Sequence, residues 1–244
     1  GDAVSWVVTG GGGSIVGGAT TDAAGVATAA WTLGSIPGLN TATASVGALT
    51  ADFTATGECF PGYGVAQVDG TFDPTEWACA SSFDFEANIS GGSTPATVFW
   101  QNDGTNLYMA VRILQNSLDK VNTLRIDIDS DGDGAAERND DVIGVDDETG
   151  FFDRYLTQRC VNSGQASCGN DDASADGAGA VDNDGTYTVF ELVHPLNSGE
   201  STDLAVGTGD TFGFFLSLQS GNGAQGNTQV PAFRVYQDFT VVGF

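Results

Sequence analysis

The stretch from Leu124 to Val145 constrains the fold most, because it joins a strand pattern directly to a dense run of carboxylates. Three aliphatic residues at every second position, beginning with Leu124, alternate with Arg125 and Asp127. This period of two is typical of a half-buried strand. No helical pattern flanks the acidic run that follows, so we predict an acidic loop within a β protein.

The spacing of the carboxylates predicts a calcium site. A calcium ion takes about six to eight oxygen ligands, so its loop must aim carboxylates and a backbone carbonyl inward around a glycine turn. Counting from Asp129, the predicted ligands are Asp129, Asp131, Asp133, the Ala135 carbonyl, Glu137 and Asp140. Counting from Asp127 places Arg138 at the twelfth position, and a cation cannot ligate a cation. The alternative is a solvated acidic hairpin loop without an ion.

The charge of the chain excludes several partners. The chain has 7 Lys and Arg residues and 32 Asp and Glu residues, which gives a formal net charge of −25. Phosphates would be repelled along such a surface, so we expect neither nucleic-acid binding nor insertion into or docking on an anionic membrane. The 35 glycines and the many Thr, Ser, Ala and Val residues favour strands and tight turns over helices.

Four cysteines suit two local disulfides. Pairing Cys59 with Cys79 and Cys160 with Cys168 minimises loop closure, although other connectivities remain open. A zinc site is the alternative, but the chain has no C-x-x-C motif and a single histidine. Disulfides together with a calcium loop indicate an extracellular or cell-surface protein, most naturally of a bacterium. No signal-peptide or transmembrane run is present, and we expect a mature or trimmed product.

A shift in composition predicts two domains. Residues 1–57 carry three charged residues, all Asp, whereas the rest carries every Lys and Arg. We predict an all-β chain with an incomplete Ig-like sandwich at 1–58, a linker at 59–64 and a larger jelly-roll-like antiparallel sandwich at 65–244. Strands in the first part are predicted near 4–9, 14–16, 26–33, 40–46 and 49–55, separated by glycine turns.

The first part resembles the bacterial Ig-like domain of group 1, the invasin and intimin type. The resemblance rests on W-x-V-T-G-G-G-S from Trp6 to Ser14 with one extra Gly, T-D-A-x-G-x-A from Thr21, W-T-L-G from Trp31 and N-T-A-T-A-S-V from Asn40. Such domains normally open with further strands that precede the W-x-V strand. Either those strands are missing here, or another chain supplies them by strand addition. Residues 233–244 are a candidate donor, or else the last strand of their own domain.

The second part resembles the family 9 carbohydrate-binding module and its DOMON-like relatives. Four motifs occur in the family's order, namely V-D-G-T-F-D-P-T-E-W from Val68, D-G-x-x-L-Y-x-A-V-R from Asp103, I-D-x-D-x-D-G from Ile128 and E-x-x-x-P-L from Glu191. The resemblance implies an antiparallel sandwich with structural calcium and, often, sugar binding. Trp77 and Trp100 occupy apolar framework positions of the family, so we predict that both lie in the core.

Other candidate sites are weaker. Phe151, Phe152 and Tyr155 form the candidate sugar platform. A second ion is predicted at the carboxylates Asp171, Asp172, Asp176, Asp182 and Asp184, and a third at Asp69, Asp73 and Glu76. His194 is predicted to be packed and not a general base. Asn88 begins an N-glycosylation sequon in a predicted surface loop.

Two functions follow from these patterns. The first is a calcium-stabilised structural subunit of a surface fibre or pilus-like filament, in which copies of the chain exchange strands. The second is a non-catalytic module that binds a polysaccharide or glycan and is carried on an Ig-like spacer. The incomplete first sandwich favours assembly, and the resemblance of the larger domain favours glycan binding. No motif indicates catalysis, so we do not expect an enzyme.

Overall fold

The computed structural model describes residues 1–34, 37–89, 92–161, 168–219, 228–232 and 235–243. Strands dominate, and the helical structure in these residues is a single 3-10 turn at Leu118–Lys120. The strands are β1 (Ser5–Gly10), β2 (Gly13–Gly17), β3 (Ala29–Leu33), β4 (Gly38–Val46), β5 (Leu49–Gly57), β6 (Ser81–Ile89), β7 (Gly92–Asn102), β8 (Asn106–Ile113), β9 (Thr123–Asp129), β10 (Asp141–Asp146), β11 (Gly150–Tyr155), β12 (Asn170–Asp171), β13 (Ala178–Asn183), β14 (Thr188–Pro195), β15 (Thr211–Gln219), β16 (Thr228–Val230) and β17 (Gln237–Thr240). The predicted all-β class is confirmed.

The first part of the chain forms two small antiparallel sheets. One has the order β1-β4-β5, and the other is the β2-β3 hairpin. All five strands lie where the alternating pattern predicts them. Of the described residues up to 57, only Asn40 and Ala42 are buried, while Val16 and Leu49 are about three-quarters exposed, at 75% and 76%. These sheets therefore enclose almost no core of their own.

The second part is a sandwich of two antiparallel sheets. The five-stranded sheet has the order β13-β14-β8-β7-β6. The seven-stranded sheet has the order β12-β11-β10-β9-β15-β16, and β17 pairs with β15. Strand β9 pairs with β10 on one side and with β15 on the other, so it lies near the middle of its sheet.

The main core lies between these two sheets. Trp100 of β7 contacts Phe214 of β15 edge-to-face, with ring centroids 5.5 Å apart. Inward residues at alternate positions of each strand, such as Ile126 and Phe190, are fully buried. Trp77 and Trp100 are 3% and 8% exposed, which confirms their prediction as core residues.

The prediction that β9 is half-buried is wrong, because both of its faces are covered. Its outer face carries the Arg125–Asp127 ion pair, which is almost fully buried. Cys168, which is joined to Cys160 by a disulfide, lies against this face, and Arg125 Nη1 donates to the Cys168 carbonyl at 2.7 Å. A charged pair therefore occupies a face that the sequence pattern assigned to solvent.

Both predicted disulfides are present. Cys59 is joined to Cys79, and Cys160 to Cys168. The D-G-T-N turn also forms as predicted, since Asp103 N donates to the Asn106 carbonyl at 3.1 Å between β7 and β8.

The C-terminal segment is a strand of its own domain. Phe212 of β15 pairs with Phe239 of β17, and Phe239 is buried in the main core. Donation of this segment to another chain would require β17 to leave this core. In the structure the segment is instead the last strand of its own domain. Residues 233, 234 and 244 of the predicted donor lie outside the described residues.

Candidate metal centres and a candidate ligand groove

The acidic loop after β9 gathers its first three carboxylates. Oxygens of Asp129, Asp131 and Asp133 lie within 4.8 Å of one another. Backbone donors fix this arrangement, because Gly132 N and Gly134 N donate to the two oxygens of Asp129 at 3.0 and 2.8 Å. Both glycines have positive φ, at 69° and 81°, a conformation that turns the loop back on itself. The group could hold a metal ion.

Asp140 closes the same loop. Its Oδ2 accepts a hydrogen bond from Glu137 N at 2.7 Å. Burial raises the pKa of Asp140 to about 7, and the charges of Asp129, Asp131 and Glu137 add to the increase. Burial also raises the pKa of Asp129, while backbone donors oppose the shift. Carboxylates held this close resist full ionisation unless a cation neutralises them.

A second acidic cluster, which we call the buried centre, lies inside the sandwich. It consists of Asp141 on β10, Asp153 on β11, His194 on β14, and Asp172 and Asp203 in loops. Ligand atoms of Asp141, Asp153 and His194 lie within 4.8 Å of one another, and so do those of Asp153, Asp172 and Asp203. Asp153 therefore belongs to both groups.

Ionisation in the buried centre is strongly perturbed. Burial raises the pKa of Asp141 to about 8 and that of Asp172 to about 6. Burial alone would lower the pKa of His194, but the carboxylates of Asp153 and Asp141 outweigh it and raise the value to about 9. His194 is fully buried and lies 3.4 Å from Asp153, between Nε2 and Oδ2. It is packed, as predicted.

Of the predicted second-ion carboxylates, only Asp172 joins this cluster. Asp171 forms an exposed ion pair with Arg154 at 2.8 Å. Asp182 and Asp184 accept backbone hydrogen bonds within the turn between β13 and β14. Asp176 accepts from Ser174 Oγ at 2.9 Å. Four of the five residues thus serve turns or surface contacts.

The carboxylates predicted for a third ion do not converge in the described residues. Asp69 and Asp73 each accept a backbone hydrogen bond from the residue two positions later, at 2.8 Å. Glu76 accepts from Gln67 N at 3.2 Å. These contacts fix the conformation of a segment whose Phe72 and Trp77 pack against Tyr108 and Ala110 of β8.

The predicted sugar platform is divided between two faces of β11. Phe151 packs against the main core, whereas Phe152 packs on the opposite face beside Val142 and Leu156. Tyr155 lines a groove of about 610 Å³ near Asp172 and Thr202. Neighbouring strand residues point to opposite faces, so Phe151 and Phe152 do not form one flat aromatic surface.

A different groove lies on the outer face of the five-stranded sheet and encloses about 450 Å³. We call it the sheet groove, and its polar lining residues are Asp84, Glu86, Thr97, Arg112 and Tyr187. The Arg112 guanidinium lies 3.6 Å from the Tyr187 ring centroid and 5.0 Å from that of Phe72.

Neighbouring hydroxyls orient the carboxylates of the sheet groove. Thr97 Oγ1 donates to Asp84 at 2.7 Å, and Ser93 Oγ donates to Glu86 at 2.6 Å. The buried Nε of Arg112 has no hydrogen-bond partner in the described part of the chain. The groove therefore presents a rigid guanidinium, two fixed carboxylates and an aromatic ring.

Sequence reasoning missed both the sheet groove and most of the buried centre. For the groove, a local signal exists, since Asp84 and Glu86 alternate with Phe83 and Phe85 along β6. For the buried centre, Asp141 and Asp153 stand among apolar residues at inward positions of β10 and β11. A charged residue at an inward position is such a signal, but it does not reveal which acids meet.

Asn88 is exposed, but it lies in β6 and not in the predicted loop. Its backbone N donates to Thr228 Oγ1 at 2.6 Å, which ties the end of β6 to β16. Within the described residues, no helix is both long and apolar enough to cross a membrane.

No protein-family model matches the chain, and the search of curated proteins found no match. Two solved structures of a family 9 carbohydrate-binding module from Caldicellulosiruptor kristjanssonii are similar to it, each with 12% identity. The complex with glucose has a TM-score of 0.50 and covers 75% of this chain and 95% of its own. The complex with cellotriose has a TM-score of 0.49, with 76% and 94% covered. The larger sandwich has the fold of these modules.

Proposed function

We propose that residues 65–244 form a non-catalytic carbohydrate-binding module of a secreted protein, with an Ig-like spacer at residues 1–58. The sheet groove carries this proposal, because its guanidinium, carboxylates and ring form one preorganised polar surface. Carbohydrate sites combine an aromatic face with a few fixed polar groups. In the sheet groove the Tyr187 ring, with the Arg112 guanidinium over it, lies beside the carboxylates of Asp84 and Glu86.

Each part of the sheet groove fits a sugar ring. Arg112 can donate to neighbouring hydroxyls, and Asp84 and Glu86 can accept from hydroxyls further along the groove. Because Phe72 and Tyr187 hold the guanidinium, little side-chain freedom is lost when a sugar binds. The volume of about 450 Å³ is in the range of small-ligand pockets.

The structural comparison supports this proposal. The similar module with a TM-score of 0.50 was solved with glucose, and the second structure was solved with cellotriose. We therefore expect a glucose-based oligosaccharide as the first ligand to try. Residue-level correspondence is not implied at 12% identity, so the binding residues are argued from this chain alone.

Calcium is the proposed cofactor of the acidic loop. The loop offers carboxylates of Asp129, Asp131 and Asp133 around a common centre, with Asp140 beside them. Carboxylate oxygens are ligands that calcium prefers. The ion would hold the loop between β9 and β10, and its role would be structural. Calcium and two disulfides both fit an extracellular location.

The proposal does not extend to a fibre. Strand exchange through the C-terminus would require β17 to leave its pairing with β15 and Phe239 to leave the core. The exposed sheets of residues 1–57 remain available to a partner, but no observation identifies one.

Calorimetric titration of the full chain with glucose and cellotriose tests the proposal. Arg112→Met should weaken binding about 10- to 100-fold, since it removes charge-assisted hydrogen bonds worth about 1.5–3 kcal/mol. Glu86→Gln, at an exposed position, should weaken binding without affecting folding. Arg154→Met is the matched control, because Arg154 also lies over a ring, that of Phe152, in the other sheet.

Tyr155→Ala separates the sheet groove from the platform predicted at Phe151, Phe152 and Tyr155. If the ligand binds at the sheet groove, Tyr155→Ala binds like the unmodified chain and Arg112→Met does not. The reverse result would place the sugar beside Asp172. Absence of binding to a panel of glucose-, xylose- and mannose-based oligosaccharides would refute the proposed function.

A further inference from the structure

The buried centre combines high burial with missing hydrogen bonds. Asp141, Asp153 and Asp203 are 0%, 4% and 5% exposed. Asp141 Oδ1, Asp153 Oδ1, Asp172 Oδ2 and both oxygens of Asp203 have no hydrogen-bond partner among the described residues. Buried polar atoms are nearly always paired, and an isolated buried carboxylate costs several kcal/mol. Five unpaired oxygens in one cluster therefore require a common partner.

The other oxygen of three of these carboxylates is held by the protein. Asp141 Oδ2 accepts from Leu204 N at 3.0 Å, and Asp153 Oδ2 accepts from Asp176 N at 2.9 Å. Asp172 Oδ1 accepts from the Thr202 hydroxyl. One oxygen of each is thus fixed, and the second is left for a ligand. This is the arrangement that outer-shell contacts give to metal-binding carboxylates.

We propose that a divalent cation that prefers oxygen ligands, calcium first, binds at the buried centre between Asp141, Asp153, Asp172 and Asp203. Four hard carboxylates favour calcium or manganese over zinc. His194 is assigned a positioning role, because its Nε2 lies 3.4 Å from Asp153 Oδ2, within ion-pair distance of that carboxylate. The site is distinct from the acidic loop and does not depend on sugar binding.

Such an ion would join the seven-stranded sheet to two loops and, through the His194–Asp153 contact, to the five-stranded sheet. Asp141 and Asp153 lie on neighbouring strands of the seven-stranded sheet, whereas His194 lies on β14 of the five-stranded sheet. Asp172 and Asp203 add two loops. Neither disulfide joins the two sheets, since Cys160–Cys168 links two residues between β11 and β12, and Cys59–Cys79 links two residues that precede β6. The cation would therefore add a crosslink between elements that already meet through side-chain packing, the His194–Asp153 contact and a few loop hydrogen bonds.

The proposed ion also lies next to the acidic loop. Asp140 and Asp141 are consecutive, and Asp140 accepts from Glu137 N within the loop while Asp141 accepts from Leu204 N at the buried centre. Consecutive residues at the start of β10 thus face two different acidic clusters. We expect binding of one ion to strengthen binding of the other.

The number of calcium ions bound by the full chain tests the proposal. After chelation and buffer exchange, calorimetry and elemental analysis should give one more calcium per unmodified chain than per Asp203→Asn chain. Asp131→Asn, in the acidic loop, should leave the ion at the buried centre in place. Equal stoichiometry in the unmodified chain, Asp203→Asn and Asp172→Asn would overturn the proposal.

A crystallographic measurement covers the case in which these variants fail to fold. Crystals of the unmodified chain soaked in manganese should give an anomalous peak between Asp141, Asp153 and Asp203. If crystals soaked in saturating manganese or calcium show no density at this position, the proposal is overturned. If manganese displaces calcium in a competition experiment, the ion at the buried centre is manganese and the proposed site is the same.

Two variants test the role of His194. His194→Leu should lower the affinity of the buried centre about 10- to 100-fold, as expected for an outer-shell contact. His194→Gln keeps a donor near Asp153 and should restore most of that affinity. If both variants lower the melting temperature equally and leave affinity unchanged, His194 is only a packing residue.

Discussion

Glu191 shows how one buried side chain joins distant motifs of the sequence. Its Oε2 accepts from Asp69 N and Gly70 N at 3.0 and 2.9 Å, and its Oε1 faces Trp77 Nε1 at 3.3 Å. Burial raises its pKa, and these donors oppose the shift. Glu191→Gln should lower the free energy of unfolding by about 1–3 kcal/mol, because an amide cannot accept from donors on both sides. Urea unfolding measures this loss.

The control for this prediction is Glu86→Gln. Glu86 is exposed and lies on the same sheet, so its substitution should change stability by no more than about 0.5 kcal/mol. Equal effects of the two substitutions would mean that the contacts of Glu191 contribute nothing to stability.

The environment of Tyr108 leads us to expect that the free energy of unfolding changes at alkaline pH. Burial, followed by the hydrogen bond to Asp103, raises the pKa of Tyr108 to about 12 from 10.0. A raised pKa means that the folded state favours the neutral phenol. Its contribution is therefore complete below pH 10 and is lost as the pH rises through about 12. Urea unfolding of the unmodified chain and Tyr108→Phe should give a constant difference up to pH 10 that shrinks above it. A difference that stays constant to pH 12 would contradict the assignment.

At the scale of elements, the acidic loop predicts metal-dependent stability. Calcium at about 100 times its dissociation constant stabilises a folded chain by about 2.7 kcal/mol, so chelation should lower the melting temperature by about 5–10 °C. Asp131→Asn should reduce this response, because Asp131 belongs to the carboxylate group of the loop. The control is Asp119→Asn in the separate 3-10 turn, which should respond like the unmodified chain. A melt that chelator leaves unchanged would refute a stabilising ion.

The elements themselves could be predicted because their signals are local. Alternation of apolar residues located β1 to β5, and the D-G-T-N turn located the β7-β8 hairpin. The acidic loop was found because its spacing lies within one short segment. In contrast, the buried centre joins residues of β10, β11 and β14 with two loops, and their approach depends on how two sheets pack. The contact of Arg125 with the Cys168 carbonyl is equally non-local.

At the scale of the whole molecule, the two parts of the chain differ in how they are stabilised. Every residue of the main core cluster lies between Ala87 and Val241, and both disulfides lie within residues 59–244. No strand of residues 1–57 pairs with a later strand among the described elements. A small groove marks where the parts meet, with Leu33 on one side and Tyr63 on the other. The larger part should therefore fold without the smaller one.

Removal of residues 1–58 tests this division of the chain. The fragment 59–244 should unfold cooperatively within about 4 °C of the full chain, since a lost contact of about 1 kcal/mol shifts the melt of a domain of this size by about 2–4 °C. Its response to chelator should match that of the full chain, because both acidic clusters are retained. The fragment 1–58 should show no cooperative transition, since it buries only Asn40 and Ala42 among its described residues. A fall of more than about 10 °C in the larger fragment would mean that the N-terminal sheets support the sandwich directly, because several kcal/mol would then cross the junction.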